Sequence, residues 1–207
     1  MNLHPNVYFN NVQEITIEFL MKNKIKALIL DVDNTLIDYY KNLSDEIIEW
    51  SNNLQGQGIK MYILSNTNKK EKVETVAKKL KLPYEMFAQK PFKKGFLKIQ
   101  KIINIKSENI AVVGDQIFTD IIGGNKCDMF TILVDPVDKK DYWYTAWKRP
   151  IENKIKKKFI KRWSNGKIVY LAQEGNKKMY FNDVNIIYYI IVAIARAFCW
   201  RICKLDE

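Results

Sequence analysis

An α/β fold, one parallel sheet with helices on both faces, is what this sequence predicts. Three observations carry the expectation. Short apolar runs alternate with longer stretches of helical periodicity, the pattern of strand–helix–strand units. Several of those runs end abruptly in small polar or acidic residues, as strands do at the edge of a sheet where ligands bind. The chain has 207 residues, 47% of them hydrophobic and 28% charged, enough for one good core and a small appendage. No internal repeat or low-complexity tract interrupts the pattern.

The elements follow in order. A helix is expected near residues 11–21 and a first strand near 25–31, where the apolar run Ile25 to Leu30 leads into Asp31-Val32-Asp33-Asn34-Thr35-Leu36. Two carboxylates two residues apart at the end of a buried strand are not packing residues, because unpaired buried carboxylates are strongly unfavourable. A divalent cation is the simplest compensation, so the pair reads as a Mg²⁺ and phosphate site, one carboxylate available as nucleophile and the other as proton donor. The bland alternative is a polar turn closing a strand. After a helix near 44–57, Met61-Tyr62-Ile63-Leu64 forms a strand near 60–65 that ends in Ser65-Asn66-Thr67-Asn68. Hydroxyls and backbone N–H groups there suit a phosphate oxygen, although such residues also cap ordinary helices. A helix near 69–81 and a strand near 84–88 precede Gln89-Lys90-Pro91. A lysine fixed by the following proline can stabilise the charge of a transferring phosphoryl group. A helix near 93–104 leads to a strand near 109–114, which ends in Gly114-Asp115-Gln116-Ile117-Phe118-Thr119-Asp120. That places two more carboxylates at a strand end, with Gly114 allowing close backbone approach. A helix near 118–126 and a strand near 130–134 complete the sheet.

The order and setting of these elements resemble the haloacid dehalogenase (HAD) superfamily of phosphohydrolases. Its first motif matches Asp31-x-Asp33-x-Thr35, its second Ser65, its third Lys90, and its fourth Gly114-Asp115 with Asp120 after a four-residue gap. Within subfamily IIIA, Leu-Asp-Val-Asp-Asn-Thr-Leu, Ser-Asn-Thr-Asn, Lys-Pro and Gly-Asp-Gln-x-x-Thr-Asp are similar to the YqeG-type subgroup, which is itself similar to phosphatidylglycerophosphate phosphatases. The likeness runs from about Pro5 to about Trp163 and includes Gly123-Gly124-Asn125 and Thr131 to Pro136. It implies a Rossmann-like phosphatase domain and a role for each matching residue. Asp31 attacks phosphorus and becomes an aspartyl-phosphate, while Asp33 protonates the leaving oxygen and then deprotonates water. Mg²⁺ is held by the Asp31 carboxylate, the Asp33 backbone carbonyl and Asp115. Ser65, Asn66 and Lys90 bind the phosphate oxygens, Thr35 braces the loop, and Asp120 orients Lys90 or a water on the metal. Lys93 and Lys94 are rivals to Lys90; the proline and the subgroup match favour Lys90.

Spacing bears on access to the site. Asp33 and Ser65 are 32 positions apart and Ser65 and Lys90 are 25, too close for an inserted cap domain, since even small domains need roughly 50 residues. The fold is therefore expected to be capless and open, able to take a phosphate carried on a lipid, a nucleic-acid end or a protein. His4 is the only histidine, which excludes a histidine base within the sheet. Three cysteines, an odd number, argue against a disulfide framework. The start of the chain lacks a basic region followed by an apolar core, so no secretory signal is expected.

Net charge is +11, and residues 141–207 hold 14 of the 34 Lys and Arg but only 6 of the 23 Asp and Glu, a net of +8. The basic surplus thus lies outside the expected 1–148 phosphatase domain, in a 149–207 extension. Trp147, Ile151, Ile155, Phe159 and Trp163 recur every four residues, with Lys154, Lys156, Lys157, Lys158, Lys161 and Arg162 between them. Two readings stand: an amphipathic helix on an anionic membrane surface, or a last helix packed on the sheet. Beyond it a hairpin is expected from 167–172 and 178–181, then an apolar helix from Val184 to Cys203. That helix reads as docked or oligomer-forming, as an interfacial anchor, or as a span; its charge-free part, Ile186 to Ala195, is short for the last. The expected function is Mg²⁺-dependent hydrolysis of a phosphomonoester, with phosphatidylglycerophosphate as the substrate the resemblance implies. The rivals are a phosphatase for nucleic-acid ends or small soluble phosphoesters, and a non-catalytic phosphate-binding scaffold. No nucleic-acid-binding module is recognisable. The expected location is the cytoplasm, either free or peripheral on the inner face of the membrane.

Overall fold

Period-two alternation in the strands decides the architecture. Leu28, Leu30, Met61, Ile63, Ala111 and Val113 enter one hydrophobic core, and Ala27, Ile29, Tyr62, Leu64, Ile110 and Val112 enter another. Side chains alternate across a strand, so a sheet that buries both faces must be covered on both. The structure, a computed structural model, describes residues 2–138, 149–159, 161–164 and 167–170. All these elements lie in one compact unit, Met1–Gln173.

The strands are β1 (Val7–Phe9), β2 (Ala27–Leu30), β3 (Lys60–Leu64), β4 (Tyr84–Glu85), β5 (Ile110–Gly114), β6 (Phe130–Val134), β7 (Lys161–Ser164) and β8 (Lys167–Tyr170). Their order in the sheet is β4-β3-β2-β5-β6-β1-β7-β8. β1 to β7 pair in parallel, and β8 closes an antiparallel hairpin on β7. The chain leaves β2 toward β3 and β4 on one side, then returns to β5 on the other. The carboxyl ends of β2 and β5 therefore flank a switch point, where an open α/β sheet leaves a crevice.

The helices are α1 (Ile17–Lys22), α2 (Asp45–Gly56), α3 (Lys70–Leu80), α4 (Lys93–Ile103), α5 (Ile122–Lys126) and α6 (Arg149–Phe159). Phe19 and Leu20 of α1, Ile47, Trp50 and Leu54 of α2, and Val73, Val76, Ala77 and Leu80 of α3 fill the first core. Phe96, Ile99 and Ile103 of α4 fill the second. Trp50 donates its indole N–H to the carbonyl of Ile15 at 2.9 Å, so the largest side chain of α2 is buried without an orphaned donor. α5 lies close against α4: a Cβ on Gly123 would come within 2.3 Å of the Phe96 ring.

Several boundaries differ from the sequence reading. The helix expected at 11–21 is a 3-10 turn over Val12–Glu14 followed by α1, because Thr16 is extended and its hydroxyl caps the Phe19 N–H. A side-chain cap of that kind restarts a helix. β1 went unread because three residues between Asn6 and Asn10 are too few to show a period. β4 stops at Glu85, since Phe87 takes a positive φ that a strand cannot hold. The helix expected at 118–126 opens as a π-type turn, Ile117–Ile121. The helix expected at 147–163 is shorter: α6 ends at Phe159, and Trp163 lies in β7, opposite Ile168. Lys167–Tyr170 is a strand, yet it pairs with Lys161–Ser164. The expected arm at 178–181 and the apolar helix at 184–203 lie outside the described residues.

Candidate active site

Four strand ends, those of β2, β3, β4 and β5, and the turns after them bring the chemistry-bearing residues together. Asp31 directly follows β2 and donates its backbone N–H to the Val113 carbonyl of β5 at 3.0 Å. Asp115 follows β5, so the two carboxylates stand side by side on adjacent strands. Thr35 donates its hydroxyl to Asp115 Oδ1 at 3.2 Å, tying the loop after β2 to the loop after β5. Asp120 comes from the π-type turn, whose extra residue per turn carries it back over Gly114. A Cβ at Gly114 would lie 2.3 Å from the Asp120 carboxyl carbon, so only glycine lets that carboxylate in. Asp31, Asp115 and Asp120 are all buried, each with a carboxylate oxygen within 4.8 Å of the others.

Lys90 joins this cluster from the far side. Its Nζ lies 2.6 Å from Asp31 Oδ1 and 2.6 Å from Asp120 Oδ1, and its side chain is 3% exposed. Asn66 holds the lysine backbone at both ends: Lys90 N–H donates to Asn66 Oδ1 at 2.7 Å, and Asn66 Nδ2 donates to the Lys90 carbonyl at 3.1 Å. Ser65 is buried at the end of β3, and its hydroxyl oxygen accepts the Thr67 N–H at 3.2 Å. Burial works against the charge on Lys90, but the Asp120 and Asp31 carboxylates outweigh it and hold the ammonium above the ordinary lysine range. Burial pushes the Asp120 carboxyl up to about 6, with Lys90 opposing and Asp31 adding to the rise.

Asp33 stands apart from that cluster. Its carboxylate is paired with the ammonium of Lys72, on the first turn of α3. Burial raises the Asp33 carboxyl above its usual range, Lys72 opposes the rise, and the Asp31 charge adds to it. The sequence reading did not single out Lys72. A signal was there: Lys72 falls in the stripe Val73, Val76, Ala77 and Leu80 that α3 buries, and a lysine on a buried stripe needs a partner. Glu152 of α6 was also missed. It is buried, and its Oε1 accepts the Phe118 N–H at 3.2 Å, at the start of the turn that carries Asp120. Ile155 is buried beside it on α6, so this part of the apolar stripe faces protein.

Such an arrangement can bind a hard cation and an oxyanion together. Carboxylate oxygens supply the first and the Lys90 ammonium, Ser65 hydroxyl and nearby backbone N–H groups the second. Asp31, central to the cluster, is the carboxylate that both could share.

By sequence, the chain is similar to phosphatases. The family described as mitochondrial PGP phosphatase matches residues 1–138. "Probable phosphatase YqeG" of Bacillus subtilis is 36% identical over 152 residues, covering 73% of this chain and 88% of that protein. Among solved structures, an uncharacterized protein from Listeria monocytogenes aligns with a TM-score of 0.47 at 18% identity, over 57% of this chain and 85% of that one. The cobalt-bound deoxy-D-mannose-octulosonate 8-phosphate phosphatase YrbI of Haemophilus influenzae aligns with a TM-score of 0.44 at 17% identity, over 66% of this chain and 90% of that one.

Proposed function

Since this chain belongs to the mitochondrial PGP phosphatase family and is a phosphatase of the HAD superfamily, we propose that it hydrolyses phosphatidylglycerophosphate through an aspartyl-phosphate on Asp31, with Mg²⁺ as cofactor. The observation that carries this reading is the buried cluster of Asp31, Asp115 and Asp120 around Lys90.

The donor set fits Mg²⁺. Three buried carboxylates outnumber the ammonium set among them, and hard oxygen ligands of this kind suit a small divalent ion. Asp31 and Asp115 would hold it, joined by the Asp33 backbone carbonyl. When bound, Mg²⁺ supplies charge neutralisation at the phosphoryl oxygens, so that an anionic nucleophile can approach an anionic ester.

The protein's own groups account for the rest. Lys90 and Ser65 grip non-bridging oxygens of the phosphate, and Asn66 holds Lys90 in register. The Asp31 carboxylate attacks phosphorus in line and displaces the ester oxygen as the P–O bond breaks. Asp33 delivers its proton to that oxygen; the raised Asp33 carboxyl suits a group that must begin protonated. In the second half, water gives a proton to Asp33 and attacks the same phosphorus, releasing inorganic phosphate and restoring Asp31. Lys72 keeps the Asp33 side chain at the mouth of the site between these steps.

The chain between β2 and β3 holds one loop and α2, and the chain between β3 and β4 holds α3. No inserted domain covers the site from either interval, which supports a phosphate carried on a large or membrane-held substrate. The test is phosphate release from a panel: the lipid phosphate in mixed micelles, a 5′-phosphorylated oligonucleotide, and small soluble monoesters, each with Mg²⁺ or excess chelator. Preference for the lipid phosphate, lost in chelator, is the expected result. Equal or better turnover of the oligonucleotide or the soluble esters overturns the substrate, and full activity in chelator overturns the metal.

A further inference from the structure

The edge of the sheet that carries the active site also carries an assembly that catalysis does not use. β2 to β6 and β1 run parallel, so the loops after them all emerge at one edge, and α3 and α4 begin there. Phe87 and Phe92 flank Lys90 in sequence, and both are exposed, at 58% and 37%. Lys69 and Lys70 open α3 and Lys93 and Lys94 open α4, all four exposed.

Two physical anomalies mark this edge. The first is Phe87, which holds a φ of 50° and is followed by Gln89 at 52°. A bulky residue in the left-handed region is strained, and strain of that kind persists where surrounding structure enforces it. Here the loop is pinned: the Ala88 N–H donates to the Ser65 carbonyl at 3.1 Å, and Phe92 N–H donates to the Gln89 carbonyl at 3.0 Å. The loop therefore holds a phenyl ring out in water by construction, not by fraying.

The second anomaly is the sign of the charge. Helix N-termini favour acidic residues, because the backbone N–H groups there are partly positive. α2 obeys the rule with Asp45 and Glu46. α4 has no acidic residue in its first turn and begins with two lysines, while α3 sets Glu71 against Lys69, Lys70 and Lys72. Lys72 has its counter-charge inside the protein, in Asp33, and Lys70 lies 3.6 Å from Glu74. Lys69, Lys93 and Lys94 stand where the helix opposes them, and an anionic surface outside the protein would offset that. Phe92 adds to the same patch, with the Lys126 ammonium 5.9 Å from its ring centroid.

Exposed phenyl rings among lysines on separate loops match the boundary of an anionic bilayer, where rings enter the acyl region and ammonium groups meet phosphates. We infer that Phe87, Phe92, Lys69, Lys70, Lys93 and Lys94 form a membrane-docking face, which seats the mouth of the active site directly on an anionic lipid surface. This deepens the proposed function, resting on a lipid-borne phosphate as substrate. It places the docking contact at the catalytic edge, so a lipid phosphate in the bilayer surface reaches Asp31 without leaving the membrane.

The test uses the full chain with two variants, F87S/F92S and K69Q/K70Q/K93Q/K94Q. Each is assayed for co-sedimentation with phosphatidylglycerol and phosphatidylcholine vesicles, for turnover of p-nitrophenyl phosphate, and for turnover of the lipid phosphate in vesicles. Retained p-nitrophenyl phosphate turnover shows that each variant is folded. The expected result is wild-type binding to phosphatidylglycerol vesicles that falls more than about tenfold in the lysine variant, given the worth of each basic residue near such a surface. The phenylalanine variant should lose the part of the binding that the wild type retains at high salt. Should both variants bind phosphatidylglycerol vesicles as the wild type does, the docking face is wrong, even if the lipid phosphate is hydrolysed. If the wild type binds no vesicles, the inference is overturned and a protein partner becomes the occupant. Binding lost in both variants, with no turnover of the lipid phosphate by the wild type, supports the docking face and removes the substrate reading instead.

Discussion

Asp31 is the residue on which the chemistry turns, and its environment explains why a conservative change there is severe. Asp31→Asn keeps the shape of the side chain and the hydrogen-bonding reach to Lys90, but an amide cannot attack phosphorus. Turnover should fall by about a thousandfold or more, as when a nucleophile is deleted elsewhere, with the circular dichroism spectrum unchanged; residual activity above a few per cent would exclude the aspartyl-phosphate. Asp115 acts differently. It accepts the Thr35 hydroxyl and faces the same cluster, so Asp115→Ala should raise the Mg²⁺ concentration for half-maximal activity by about tenfold or more, the usual scale for losing a ligand or its support. A Mg²⁺ titration at saturating substrate reads this directly, and an unchanged midpoint would remove Asp115 from the metal set.

Among the elements, α5 shows how closely the fold is built around the site. It follows directly on the turn that carries Asp120, and Gly123 brings it against Phe96 of α4. Gly123→Ala would press a methyl group onto a buried ring, and overpacking of this kind costs about 1–3 kcal/mol. In a chain of this size that lowers Tm by roughly 3 °C for each kcal/mol. Calorimetry of the variant checks it: an unchanged Tm would mean that α5 can move off α4 freely. α6 plays a comparable part on the other side of the same turn, where Glu152 accepts the Phe118 N–H. The element that looked most like an appendage thus touches the segment that positions Asp120.

For the whole molecule, charge is the open question the sequence raises most plainly. Residues 141–207 carry a net of +8, and Lys154 is exposed on α6. Because Ile155 is buried against protein, the contribution of α6 to a membrane surface should come from its charge and little from its apolar stripe. Replacing Lys154, Lys157, Lys158 and Lys161 with Gln should weaken binding to anionic vesicles several-fold at low salt. The difference between variant and wild type should shrink as salt rises and the Debye length falls from roughly 10 Å toward 3 Å. Co-sedimentation across a salt series measures it; binding that both proteins retain at high salt would mean that the stripe itself enters the bilayer. Among the described residues, no helix is long and apolar enough to cross a membrane.

Much of this protein could be read from neighbouring residues alone. β2, β3, β5 and β6 announce themselves as short apolar runs, since a strand buried on both faces needs little else. Asp31, Asp33, Ser65, Lys90, Asp115 and Asp120 stand out because each lies at or just after the end of such a run, where a polar residue has no packing role. Those signals are local, spread over fewer than ten residues. What the sequence could not say is which charges meet. Lys72 and Asp33 are 39 positions apart and Lys90 and Asp31 are 59, and no periodicity encodes a pairing across that distance. β1 was invisible for a related reason, being three residues whose strand neighbours, β6 and β7, lie far along the chain. The end of α6 at Phe159 and the turn of Trp163 into β7 likewise rest on a sheet edge that sequence cannot place. Local side-chain chemistry determined the strands and the candidate site residues; only the tertiary structure decided the ion pairs, the strained display of Phe87 and the docking of α6, because each depends on contacts between segments that meet after the sheet has formed.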